Sequence, residues 1–413
     1  MTQARARSGG TGRPRAAASG LAPAVAVAFA ARLALPVALA LALAPALALA
    51  PPAALAGEAD LAGAAASITA DELRAHVEYL ADDRLKGREA GTPGGRDAGD
   101  YIAKAFADLG LEPAGDDGTF FQAFDVRNAR ARNVVARLRG SDARLRDEYV
   151  VIGAHYDHVG LGSFGALDFL TGRGKVHNGA DDNASGTAAV LEVAGAFARL
   201  RPRPARTVVF VLFDAEEMGL VGSEHFATHP PAPIERCAAM VNLDMVGRAS
   251  KGRLYVYGTA SGSGLPDLVE SSGRDLGLSL VYEKYMVPNS DHFVFYRQRV
   301  PVAFFFTGTH RDYHRASDDA HKVNVPDLRR VAELAFRVTH GLADGRERPV
   351  YAEVPLPPPG EMVMTILESF LGTDAANRVR RLIFGDRPEP KREEPGREGS
   401  ERKEPERTKP RLF

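Results

Sequence analysis

Polar and apolar positions alternate along the middle of the chain with two different periods. In "TADELRAHVEYLADD", residues 69–83, Leu73, Val77 and Leu80 fall on one helical face. Thr69 with Glu72 three residues on predicts a capping box that opens this helix. "AGDYIAKAFADLG", residues 98–110, repeats the helical spacing and stops at Gly110. "NVVARLRG" at 133–140 and "EYVVIGAH" at 148–155 are β-branched runs split by a charged turn, which predicts a pair of strands. "TAAVLEVAGAFA", 187–198, predicts a buried helix. "TVVFVLF", 207–213, is apolar on both alternating faces, the pattern of a central strand covered by helices. "AAMVNLD" and "VPVAFFFTG" repeat that pattern, and "DLRRVAELAFRVTHGLA", 327–343, closes the segment as a long helix. The alternation predicts an α/β fold of three αβα layers around a mixed, largely parallel sheet.

Both ends depart from this pattern. The first 56 residues place Arg5, Arg7, Arg13 and Arg15 before "LALPVALALALAPALALA", 33–50, with small residues at 54–56. That is the layout of a secretory signal, and the expectation is export to the periplasm or beyond the cell. The alternative is a retained anchor, with membrane attachment through residues 21–50, although Pro36 and Pro45 weaken a stable span. Residues 57–344 form the expected catalytic segment. Residues 345–384 hold the extended linker "VPLPPPG" and two short amphipathic helices with no job assigned by sequence. Residues 385–413 mix charges with five prolines and almost nothing apolar, so disorder is expected there.

Composition narrows the chemistry. With 52 basic and 53 acidic residues the net charge is −1, so no global field recruits nucleic acid. A single cysteine, Cys237, excludes an intramolecular disulfide framework and a Cys-based zinc site. Charged groups instead gather where apolar runs end. "GAHYDHVG" carries His155 and Asp157, "FDAEEMG" carries Glu216 and Glu217, and "VNLDMVG" carries Asp244. Ligands of open α/β sheets bind beyond the carboxyl ends of strands. "HNGADDNASG", 177–186, adds the adjacent carboxylates Asp181 and Asp182, and "DYHRASDD" adds His314. Any one of these reads equally well as loop polarity. A charge pair closing a fully apolar strand is expensive unless something compensates it, and five such outliers at strand exits point to a shared partner.

"AHYDH", "HNGADDNASG", "DAEEMGLVGS", "NLDMVG", "SDHFVF" and "YHRASDD" come in an order and spacing that resembles the di-zinc aminopeptidases of family M28. The resemblance covers about residues 70–343 and includes the leader "GREAGTPGGRDAGDYIAKAFADLGLEP". It implies two Zn²⁺ ions per chain, one held by His155, Asp182 and Asp244 and the other by Asp182, Glu217 and His314. Asp182 would bridge the ions, and Asp181 would have no direct role. Three carboxylates leave one Zn²⁺ site at −1 but two ions at +1, which favours a water that ionises near neutral pH. Glu216 would be the general base, Tyr313 an oxyanion donor, and Asp157 the acceptor of the outer N–H of His155. Asp291 and Asp318 would orient neighbouring groups.

The implied function is a zinc-dependent exopeptidase that removes the N-terminal residue of a peptide substrate with a two-metal-activated water. A carboxypeptidase or dipeptidase of the same fold, a glutaminyl cyclase, and a silent adaptor stand as alternatives. The segment "LGSFGALDFLTGRGKV", 161–176, is longer than in compact members and is expected at the mouth of the site. His158 and His177 beside it are read as loop polarity rather than as ligands.

Overall fold

The computed structural model describes residues 60–162 and 165–384. The basic leader with its apolar run and the charged tail lie outside the described residues. Among the described residues, no helix is long and apolar enough to cross a membrane.

Helix α1 (Ala70–Leu80) starts where expected, with Thr69 Oγ1 accepting the Glu72 amide at 3.2 Å. The reciprocal half of the capping box does not form. The Thr69 amide donates instead to Glu192 Oε2 of a neighbouring helix at 3.3 Å, so the cap ties two helices together. Helix α2 (Pro93–Asp108) begins earlier than the apolar repeat predicts. Thr92 caps it, Pro93 fits its first turn, and a Cβ on Gly94 would lie 1.8 Å from the Leu85 carbonyl oxygen. The apolar count misses this turn because its residues were chosen for close backbone approach.

Short strand β1 (Glu112–Pro113) precedes β2 (Phe121–Val126), β3 (Ala129–Leu138) and β4 (Tyr149–His155). Helix α3 (Gly186–Arg199), β5 (Thr207–Phe213), α4 (Val221–Thr228), β6 (Cys237–Leu243), β7 (Arg253–Tyr257), α5 (Leu265–Gly273) and β8 (Ser279–Tyr282) follow. Helix α6 (His292–Arg297), β9 (Val302–Phe306) and α7 (Val325–Asp344) complete the alternation. A hairpin of α8 (Pro359–Leu371) and α9 (Thr373–Phe384) then follows.

The sheet order is β1-β3-β5-β4-β6-β9-β7-β8, with β2 on β3. Its centre, β5-β4-β6-β9, is parallel, whereas β3 on β5 and β7 on β9 are antiparallel. The strands at 133–140 and 148–155 are therefore not partners, contrary to the reading of their sequence. β5 lies between them, because a strand apolar on both faces needs a neighbour on each side and helices above and below. Alternate residues of β4 feed the two faces. Val150, Ile152 and Ala154 pack under α1, α2, α3 and α7, while Tyr149 and Val151 pack towards α4 and α6. Since β4, β5, β6 and β9 run parallel, their carboxyl ends open at one edge of the sheet.

Candidate metal centre

That edge collects the polar groups singled out above. β4 ends on His155, β5 runs out through Asp214 to Glu216 and Glu217, and β6 runs out to Asp244. His314 sits in the loop after β9 in a left-handed conformation with φ 51°. Asp182 comes from the irregular turn Ala180–Ser185 that precedes α3.

The turn is held by its own side chains. Asn183 Oδ1 accepts the amides of Gly186 at 2.9 Å and Met245 at 3.2 Å, and its Nδ2 donates to the Leu243 carbonyl at 2.9 Å. Asp181 points away from the cluster, accepting the Gly247 amide at 2.7 Å and pairing with His310 at 3.0 Å. The two adjacent aspartates thus divide the work, one tying the turn to the exit of β6 and the other facing the site. Asp318 Oδ2 accepts both of their amides, at 2.9 and 3.1 Å.

Asp182 presents its two oxygens to two groups of side chains. Oδ1 lies 3.4 Å from His155 Nε2, which is also 3.3 Å from Asp244 Oδ1. Oδ2 lies 3.1 Å from His314 Nε2, which is also 3.1 Å from Glu217 Oε2. Oδ2 is buried without a hydrogen-bond partner. Two atoms bound tetrahedrally to one Zn²⁺ at about 2.0–2.1 Å sit about 3.3 Å apart. The spacing in both groups fits that edge length, and oxygen and imidazole donors without thiolate suit zinc, cobalt or manganese.

His158 joins the second group, with Nδ1 2.9 Å from Glu217 Oε1 and 3.8 Å from Asp182 Oδ2. In the sequence it reads as loop polarity. The buried environment that brings it inward has no local signature, beyond its place one residue after the HxD motif. His177 stays outside and pairs with Asp168 at 2.7 Å. The 161–176 segment also departs from expectation. Among its described residues none lines the pocket, and it braces His314 from behind. Gly165 O accepts His314 Nδ1–H at 2.8 Å, which leaves Nε2 to face the carboxylates.

Asp157 sits 3.6 Å from His155 Nδ1 and accepts the backbone amides of Glu216 at 3.0 Å and Glu217 at 3.3 Å. The carboxylate thus holds the β5 exit, while the Asp157 backbone carbonyl, 3.3 Å from His155 Nδ1, is the hydrogen-bond partner of the imidazole. Arg88, fully buried, gives the sequence no warning. It donates to the carbonyls of Tyr156, Asn178 and Gly179, clamping the HxD loop against the turn that carries Asp182.

Burial and neighbouring charges pull the acids apart. Burial pushes Glu216 well above the usual carboxylate range, with Glu217 and Asp291 adding to the rise. For Glu217 burial pushes the same way, but His314 and the bond from His158 outweigh it and hold the group at about 2. Burial likewise opposes ionisation of Asp182, yet His155 and His314 bring it well below its ordinary value. Both glutamates and Tyr313 line one pocket with His155, Asp182, Asp244 and His314.

The curated relatives share parts of this chain. A leupeptin-inactivating enzyme 1 from Streptomyces exfoliatus is 28% identical over 265 residues, covering 60% of this chain and 51% of the relative. Aminopeptidase YwaD from Bacillus subtilis is 26% identical over 233 residues, covering 54% and 47%. The chain thus spans about half the length of these relatives. Among solved structures, the LapA aminopeptidase of Legionella pneumophila superposes with a TM-score of 0.55 at 23% identity, covering 70% of this chain and 75% of that one. This last likeness is one of fold. The model of peptidase family M28 matches residues 133–339, the stretch that runs from β3 through α7 and carries all the clustered acids and imidazoles, and the chain belongs to that family.

Proposed function

We propose that the protein is a zinc-dependent aminopeptidase that removes the N-terminal residue of a peptide with two ions held across Asp182. The placement of the two Asp182 oxygens, 3.4 Å from His155 Nε2 and 3.1 Å from His314 Nε2, carries this reading. His155, Asp182 and Asp244 would hold one ion, and Asp182, Glu217 and His314 the other. Bound there, the pair would polarise the scissile carbonyl and lower the pKa of water towards neutrality.

The chain's own groups do the rest. Glu216 has no place in either three-residue set and is held beside them by the bond from its amide to Asp157. Beside both groups but part of neither, it is placed to take a proton from the attacking water and deliver it to the departing amine. Tyr313, stacked on His314 with ring centroids 4.0 Å apart, is placed to donate its hydroxyl to the developing oxyanion. A second complete group around Glu217 and His314 favours hydrolysis over the one-zinc cyclase alternative. The N-terminal leader supports an exported enzyme.

Metal analysis of protein purified without chelator tests the reading, together with chromophore release from leucyl anilide. About two zinc ions per chain and anilide hydrolysis abolished by chelation are expected. Folded protein that carries no zinc and leaves aminoacyl anilides intact would overturn it.

A further inference from the structure

The hairpin α8–α9, whose role is not legible in its amphipathic pattern, forms one wall of the catalytic pocket. Glu361 and Glu368 of α8 and Thr373, Asn377 and Arg380 of α9 line the same space as the metal-facing acids. The hairpin is pinned to the peptidase segment at the loop after β9. The Thr373 amide donates to Thr309 O at 2.9 Å, and Thr309 Oγ1 donates to Glu368 O at 3.0 Å. That is the loop that also carries Tyr313 and His314, so the hairpin and the chemistry share one support.

Within this wall Arg380 stands out by its charge. Among the described residues lining the pocket it is the only guanidinium or ammonium, and Glu283, Glu361 and Glu368 join the metal-facing Asp182, Glu216, Glu217 and Asp244 as the acids there. Its side chain is only 11% exposed. Nη1 donates to Asn377 Oδ1 at 2.6 Å, and Nε lies 3.1 Å from Glu361 Oε2 as an ion pair without a hydrogen bond of its own. An arginine has five N–H donors in a rigid fork, and these two partners engage a minority of them. A side chain that loses so much water while facing a substrate cleft is arranged to receive an anion. In a peptide that anion is a carboxylate.

We propose that Arg380 is a specificity-determining residue that binds a carboxylate of the substrate, and that Glu361 tempers it as a competing counter-charge. The proposal rests on the peptidase reading and names its substrate class: short peptides that present either a C-terminal carboxylate or an acidic side chain near the scissile bond. Neither residue takes part in bond cleavage, so the effect belongs in KM.

The test compares kcat/KM for Leu-Ala and its C-terminal amide, and for Leu-Asp-amide and Leu-Asn-amide, in the parent, Arg380→Ala and Glu361→Gln. Each ratio is internal to one preparation, so a loss of folded protein cancels. The parent is expected to favour the carboxylate-bearing member of at least one pair by about tenfold or more through KM, the worth of one charge-assisted contact. Preference in the first pair identifies the C-terminus as the source, and preference in the second identifies the side chain. Arg380→Ala should erase the preference, while Glu361→Gln should widen it. A merely structural role would move both variants in the same direction. Ratios unmoved by both substitutions would overturn the carboxylate site alone, whereas a parent enzyme inert to all four peptides would overturn the peptidase reading and this proposal with it.

Discussion

His158 Nδ1 lies 2.9 Å from Glu217 Oε1, and its ring meets the ring of His314 edge-on with centroids 5.5 Å apart. A buried imidazole in that position fixes the orientation of Glu217. Groups that orient a metal-binding side chain are typically worth about 10–100-fold in metal affinity. His158→Ala is therefore expected to weaken zinc binding by that factor at one of two sites, read by competition with a chromophoric chelator. Unchanged affinity would reduce His158 to packing.

Asp182 faces both groups, so its substitution should be felt twice. Asp182→Asn is expected to lower zinc occupancy at both sites, while His155→Ala or His314→Ala should empty mainly one. Metal content per folded chain is the measurement. A stoichiometry in Asp182→Asn equal to that of the parent would remove the bridging role.

How far the sequence led can be judged from these same residues. His155, Glu216, Glu217 and Asp244 were legible because each follows an apolar run that had to be a strand, and parallel strands place their carboxyl ends together. The role of Arg88 was not legible. Its acceptors are backbone carbonyls of residues 156, 178 and 179, and a carbonyl has no identity in the sequence. The partnership of β3 with β5 rather than β4 was hidden for a related reason, since apolar runs announce burial but not neighbours. The hairpin α8–α9 showed its amphipathic pattern, yet nothing in that pattern says which groove its polar face will line.

Cys237, at the start of β6, should be inert towards thiol reagents. Burial pushes its thiol up to about 12 from an ordinary 9.0. A thiol whose folded value is raised contributes stability that is intact below about pH 9 and is lost as pH rises from there towards 12. At pH 8 the folded chain therefore presents far less thiolate than an unfolded one. Iodoacetamide should thus leave the folded protein unmodified over the time in which denatured protein reacts fully. Rapid labelling without denaturant would mean that the strand start opens to solvent.

The neighbours Glu216 and Glu217 should fail in different ways. Environments that drive two adjacent carboxyl groups apart mark division into acid–base and ionised roles. Here burial leaves Glu216 with a high proton affinity, while His314 and His158 hold Glu217 ionised. Glu217→Gln is expected to release metal, with activity partly restored by added zinc. Glu216→Gln is expected to keep its zinc and still bind a competitive inhibitor, yet lose about 10²–10⁴ in kcat, the usual worth of a positioned proton-transfer group. Both variants leave the Asp157 bonds to the two backbone amides in place, so the β5 exit keeps its shape and the comparison isolates the side chains. Were the pair only a polar start to the following turn, both substitutions would be nearly silent. Metal loss in Glu216→Gln with retention in Glu217→Gln would exchange the two roles, because the group that holds an ion cannot also be the one that carries the proton.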